Sequence, residues 1–454
     1  VREAIGGSKQ DFTRGGIPRA IFLLAVPMVL EMSMESLFGV VDVFFVAKLG
    51  ADAVAIVGIT ESLLTLVFAV ALGLSMATTA IVARRTGEKD PEGAAVATAQ
   101  SILIGAVVST PIGLIAIVYS KTVFGLMGAS PNVIALGSRY AAIVLGSNIT
   151  VMLLFLINAA FRGAGDASVA MRALWLANII NIILDPCLIF GIGPVPAMGV
   201  TGAAVATSIG RGVGVAYQLY VLARGRSRIR IARRHMRLHL PVMSRMVRVS
   251  LGGIFQYFVA TASWLGLVRI VAEFGDAALA GYTIAIRVII FAILPSWGMS
   301  NAAATLVGQN LGAGNPSRAE RSVWLTAISN MIFLGCVTVL FLMSAESLIA
   351  LFSSDPRVIS FGVDCLRFVS YGYVFYACGM VMVQAFNGAG DTFTPTIINL
   401  SCYWLFQIPL AYTLAMKAGL GARGVFLAIA VSESIIAVVG VLAFRRGRWK
   451  QERV

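Results

Sequence analysis

The sequence predicts an all-α, polytopic membrane protein with twelve transmembrane helices, built as two six-helix lobes related by pseudo-twofold symmetry. Three observations carry this. Hydrophobic residues make up 58% of the 454 positions and charged residues 12%, about half the charged share of a soluble domain, and the mean hydropathy is +0.88. The apolar residues fall in long stretches near the roughly 20 residues that cross a bilayer. The third observation is a repeat. Phe161-Arg162-Gly163-Ala164-Gly165-Asp166 returns 225 residues later as Phe386-Asn387-Gly388-Ala389-Gly390-Asp391.

The spans are expected near 20–46, 53–82, 94–119, 133–158, 169–191, 199–222, 245–272, 278–307, 321–343, 359–383, 395–416 and 424–444. Backbone in hydrocarbon must satisfy its own hydrogen bonds, which leaves helices or a closed barrel. Runs this long without alternation are helices. The 225-residue offset holds across much of each half: Gly50 falls on Gly275, Gly87 on Gly312 and Pro131 on Pro356. This organises the chain as an N-terminal lobe (1–223), a basic linker (224–244) and a C-terminal lobe (245–454). Six spans per half place both halves the same way up around a central cleft. The glycines of the repeated hexapeptide suit a tight turn, and Asp166 and Asp391 can cap the following helices. The Arg-rich segment 224–248 is a tether between bundles that could also lie along the inner membrane surface.

The net charge of +14 is placed by orientation. Most Lys and Arg fall in the even-numbered loops and the tails. The positive-inside rule then puts both termini in the cytoplasm of a multi-pass cell-membrane protein, with anionic lipid as a contact and no nucleic-acid partner. Cys187, Cys336, Cys365, Cys378 and Cys402 lie in apolar segments without a CxxC pair and read as small hydrophobes. His235 and His239 have no acidic neighbour in the sequence, so no metal site is expected there. No cleavable signal peptide is evident. No phosphate loop, HExxH or GxSxG motif is present, so an enzyme is not expected.

Ionisable groups inside a membrane are functional candidates. Asp42 in span one and Asp185 in span five lie at similar depth, several residues from their outer ends. Asn181 is one turn from Asp185 on the same helical face, and Thr207 in span six is only slightly deeper. Such an oxygen-rich cluster could hold Na⁺, share a proton, or lock helices together by hydrogen bonds. The repeat sets Leu267 against Asp42, and with a two-residue slip Ile408 against Asp185 and Trp404 against Asn181. The polar cluster therefore belongs to the first half alone. Pro27 interrupts span one and permits a bend. Glu31, Glu35 and Glu61 are further acids, with an ion pair from Glu61 to Arg287 conceivable across the cleft; Arg211 and Arg269 have no evident partner.

These residues make the chain resemble the multidrug and toxic compound extrusion (MATE) family. The match is carried by Pro27, Val41-Asp42, Lys48-Leu49-Gly50, the Phe161–Asp166 hexapeptide, Asn181–Pro186, Met198–Thr207 and the repeat. The resemblance implies a secondary antiporter that exports cationic, amphipathic drugs in exchange for Na⁺ or H⁺ by alternating access, without a cofactor and as a monomer. It implies a cation site at Asp42, Asn181, Asp185 and Thr207, with Tyr140 and Asn158 as outer neighbours and Pro27 as a hinge. Thr207 is placed by its Ala-Thr motif, because the preceding loop has about four extra residues around 194–197. Acids that one branch of the family carries in spans seven and ten are replaced here by Ala260 or Thr261 and Tyr376. The chain thus looks closer to the DinF-like and archaeal branch, and second-lobe cation binding is not expected. A lipid-linked oligosaccharide flippase of the same superfamily is the alternative. It needs a basic cleft, for which Arg211, Arg269 and Arg287 are the only material.

Overall fold

A computed structural model describes residues 1–8, 10–192, 196–452 and 454. The five residues left out include three, 193–195, of the loop before span six, so the expected insertion around 194–197 lies partly outside the described residues. Long helices occupy Ile17–Ala47, Ala51–Gly87, Pro91–Leu126, Pro131–Ala164, Ala167–Phe190, Leu240–Ala272, Asp276–Gly312, Pro316–Ala350, Phe393–Lys417 and Ala422–Arg445. Span ten is the pair Pro356–Tyr371 and Tyr373–Ala389, bent by 58° at Gly372. Span six, Val200–Arg224, is the least apolar; Gly202, Gly210, Gly212, Gly214 and Arg211 dilute its hydropathy. That completes the expected twelve.

The chain punctuates these helices with proline at their starts and glycine at their ends, as local geometry requires. Pro91, Pro131, Pro316 and Pro356 open spans three, four, nine and ten. Gly165 (φ 84°) and Gly390 (φ 94°) close spans four and ten in the left-handed conformation. The other glycine of each hexapeptide is a packing residue. A Cβ on Gly163 would stand 2.9 Å from the Thr79 carbonyl oxygen, and one on Gly388 would stand 2.3 Å from that of Ala304. The motif is therefore structural in both copies. Its aspartates differ: Asp391 Oδ1 accepts from Thr394 N at 3.0 Å as a cap. Asp166 instead accepts from the backbone N of Arg228 at 3.0 Å and anchors the linker.

The linker docks on span three. Gln100 Nε2 donates to the carbonyls of His235 (3.1 Å) and Arg237 (2.9 Å). His235 is buried and meets Glu92 at 2.8 Å, while Arg234 pairs with the other Glu92 oxygen. The acidic neighbour that the linker sequence lacks is thus supplied by another helix.

Both termini lie on one face, and there the lobes press together. A Cβ on Gly87 of span two would fall 1.9 Å from the Gln309 carbonyl of span eight, and one on Gly312 would fall 2.1 Å from the Arg84 carbonyl. Gln309 Nε2 donates to Gly163 O at 2.8 Å, and Thr305 Oγ1 to Arg162 O at 3.1 Å. The chain ends add to this closure. Arg84 donates to Glu452 O at 2.7 Å, and Arg318 donates to the carbonyls of Phe12, Arg14 and Gly15. Nearer mid-membrane, Gly298 packs against the Met28 carbonyl, one residue after Pro27.

Candidate cation site and central cleft

Spans one, five and six converge in the half of the first lobe farther from the termini. Small residues allow the close approach. A Cβ on Gly210 would meet the Ala177 carbonyl at 2.5 Å, and one on Gly202 that of Leu188 at 2.5 Å. Spans five and six are thereby close enough for Asn181 Nδ2 to donate to Thr207 Oγ1 at 2.9 Å. Asp185 is fully buried one turn farther along, and Asp42 of span one lies close enough for the two charges to interact. Tyr140 is also buried and makes no hydrogen bond to either carboxylate among the described residues.

Four oxygens in this cluster are buried without a hydrogen-bond partner among the described residues: Asp42 Oδ1, Asn181 Oδ1 and both Asp185 oxygens. An unpartnered buried carboxylate is costly unless a proton or cation meets it. A helix-locking network would leave its acceptors satisfied. This cluster uses one donor, from Asn181 to Thr207, and leaves the acids open, so the arrangement suits exchange better than scaffolding.

Asn158 is not brought to this cluster. Its Nδ2 donates to Glu31 Oε1 at 2.9 Å, and Gln218 Nε2 donates to Asn158 Oδ1 at 2.6 Å. Arg162 Nη1 pairs with the same Glu31 oxygen at 2.9 Å, with both side chains largely buried. This second network lies deeper, toward the closed face, because Asn158 is near the inner end of span four. The sequence did carry a signal for it. Arg162 occupies the one position at which the two hexapeptide copies differ, Arg against Asn387.

Between the lobes lies a cavity of about 200 Å³ lined by Glu31, Met32, Phe68, Met76 and Phe155 from the first half, and by Tyr257 and Trp297 from the second. Its one arginine, Arg162, is neutralised by Glu31. The other membrane arginines are scattered. Arg211 faces Glu35 at 3.9 Å and the rings of Phe38 and Phe68. Arg269 pairs with Glu273 at 2.9 Å in an exposed position. Among the described residues Glu61 of span two and Arg287 of span eight make no ion pair, so the conceivable bridge is not formed.

The family model MatE matches this chain twice, over residues 27–187 and 254–413. The chain belongs to the MatE family. The two matched segments are the two halves seen in the repeat. A relative named probable multidrug resistance protein NorM, from Thermotoga maritima, is 27% identical over 96% of this chain and 94% of its own. A crystal structure of MATE in complex with MaL6 is 26% identical, with a TM-score of 0.92 over 98% of this chain and 100% of that one. A structure described as the outward-facing conformation of a multidrug resistance MATE family transporter has a TM-score of 0.91 at 26% identity, covering 97% and 98%. This MatE member is therefore a multi-pass membrane transporter.

Proposed function

We infer that this transporter exports amphipathic organic cations in exchange for Na⁺ or H⁺, with Asp42 and Asp185 as the coupling carboxylates. The observation that carries the reading is the set of four unpartnered buried oxygens around Asp42, Asn181 and Asp185. In the bilayer interior such acceptors call for a small cation, with Thr207 and Tyr140 orienting the cluster. The lobes, 1–223 and 245–454, act as the rocking bodies, and the excess of Lys and Arg on the terminal face assigns that face to the cytoplasm. The closed terminal face then corresponds to a state open outward.

The central cleft supports organic cations over a pyrophosphate headgroup. Its walls are aromatic and methionine-rich, its acids Glu31 and Glu35 are held by Arg162 and Arg211, and no unpaired arginine lines it among the described residues. The Thermotoga maritima relative is named a probable multidrug resistance protein, which supports drugs as the exported class. One cation entering across 100 mV supplies about 2.3 kcal/mol, which drives export only when more charge enters than the exported cation carries out; at one for one the concentration gradient of the ion is the driving force. Pro27 removes a helix hydrogen bond beside the contact with Gly298, so bending there would pass a change at Asp42 to span eight.

The test is ethidium efflux from proteoliposomes, driven separately by a Na⁺ gradient and by a pH gradient. Wild type should respond to one of them, Asp42→Asn should lose that response, and Pro27→Ala should slow exchange. Undiminished gradient-driven efflux by Asp42→Asn would overturn the site, and an unchanged rate in Pro27→Ala would overturn the hinge.

A further inference from the structure

A second cavity, of about 270 Å³, lies inside the second lobe, away from the central cleft. The repeat explains where it comes from. Gly199 (φ 58°, ψ −140°) and Gly421 (φ 59°, ψ −144°) open spans six and twelve with the same backbone geometry. They stand 222 residues apart, so the register slips by three in these last spans. At that register Thr207 falls on Ile429 and Arg211 on Glu433. At the main offset Asp42 falls on Leu267 and Glu61 on Ile286. All four counterparts line the second cavity. It is the symmetry mate of the Asp42–Asp185 region, with aliphatic walls in place of acids and one acid in place of the arginine.

Glu433 is a carboxylate midway along span twelve with no cationic partner among the described residues. Its neighbours are aromatic. Tyr403 donates its hydroxyl to Glu433 Oε1 at 3.2 Å, and Tyr376, Tyr282, Tyr373 and Trp264 complete the lining around it. Tyr282 and Tyr373 are each 1% exposed. Ser263 and Gln407 bond to each other at 3.2 Å on the same wall. A cavity for lipid tails needs no carboxylate. Aromatic side chains beside one negative charge match an aromatic cation, and the Gln407 and tyrosine oxygens on the wall match amino groups on it.

We propose that this second-lobe cavity is a binding site for planar aromatic cations bearing amino groups, with Glu433 as counter-ion and the surrounding tyrosines as cage. It is distinct from the cleft and extends the export reading without needing it. The site holds the cation through charge, and the aliphatic side formed by Leu267, Ile286 and Ile429 receives the flat hydrophobic body.

The probe is ethidium monoazide, photolysed on the full-length protein in nanodiscs, with labelled peptides mapped by mass spectrometry. Labelling is expected in 257–293 and 403–433, falling about tenfold in Glu433→Gln and largely retained in Glu433→Asp. Ethidium should compete, and dihydroethidium, its uncharged reduced form, should not. Ala260→Trp fills the cavity and should also remove this labelling, which keeps the test decisive if Glu433→Gln unfolds. Equal labelling in a folded Glu433→Gln, competition by dihydroethidium, or label confined to cleft residues would each overturn the site. Second-lobe label without cleft label would leave this inference standing and count against export through the cleft.

Discussion

The two lobes match where their backbones touch and diverge where their cavities open. At the terminal face Gly163 and Gly388 do the same work, each seating one helix on the carbonyl of a neighbour, and Gly165 and Gly390 end both helices in the left-handed conformation. In the half of the membrane farther from the termini the first lobe sets Asp42 near Asp185, Glu61 and Arg211, and the second sets aromatic and aliphatic residues around Glu433. A close backbone approach tolerates no Cβ, so duplicated glycines have no freedom to drift. A cavity wall can change sign as long as its volume is kept. The difference shows that the duplication supplied the scaffold, and that the two halves then acquired cavities of opposite character.

The strongest way to break this comparison is to remove its matched part. Gly163→Val and Gly388→Val each drive side-chain atoms into a carbonyl, and overpacking of this kind costs about 1–3 kcal/mol or more. Both should lower the melting temperature in detergent, by similar amounts. A large loss in one and none in the other would show that the lobes are not equivalent even in their packing. The closure comes next. Arg318→Ala frees three carbonyls of the N-terminal segment, and a charged hydrogen bond is worth about 1.5–3 kcal/mol. Cysteine accessibility at the terminal face should rise in that variant; unchanged protection would remove the segment from the closure.

Deleting the deeper network separates it from the cation site. Asn158→Ala should lower stability by about 1 kcal/mol through loss of its bonds to Glu31 and Gln218, while the ion that drives transport stays the same. A switch of coupling ion would place Asn158 in the site after all. The smallest effect is expected at the linker. Hydrogen bonding from His235, with Arg234 beside it, holds the exposed Glu92 carboxyl below its usual value of 4.5. A lowered folded value means that linker docking is fully supported above that usual value and weakens as pH falls through the lowered one. Hydrogen exchange of residues 229–237 should therefore rise in acid, and Glu92→Gln should abolish that pH dependence.

How much of this was legible follows from the kind of contact involved. Hydrophobic runs, proline starts and the repeated hexapeptide are local, and they delivered the twelve spans and the doubled scaffold. Asp42, Asn181, Asp185 and Thr207 could be gathered because depth along a helix is readable from residue number. Partnerships made by helix packing were not. The Glu31–Arg162 pair joins spans one and four, and His235 finds Glu92 across the fold. Glu433 went unread because the repeat slips from 225 to 222 before span twelve, which hides it as the mate of Arg211. The same slip made the second lobe look free of acids in its cavity.

The most direct measurement of the central claim compares the lobes in one assay: ethidium efflux from proteoliposomes, taken as the ratio of rates with and without the driving ion gradient. Asp42→Asn and Asp185→Asn should bring that ratio to about one, whereas Glu433→Gln should raise KM for ethidium and keep the ratio of wild type. A ratio lost in Glu433→Gln and preserved in both aspartate variants would contradict the account by placing ion coupling in the second lobe.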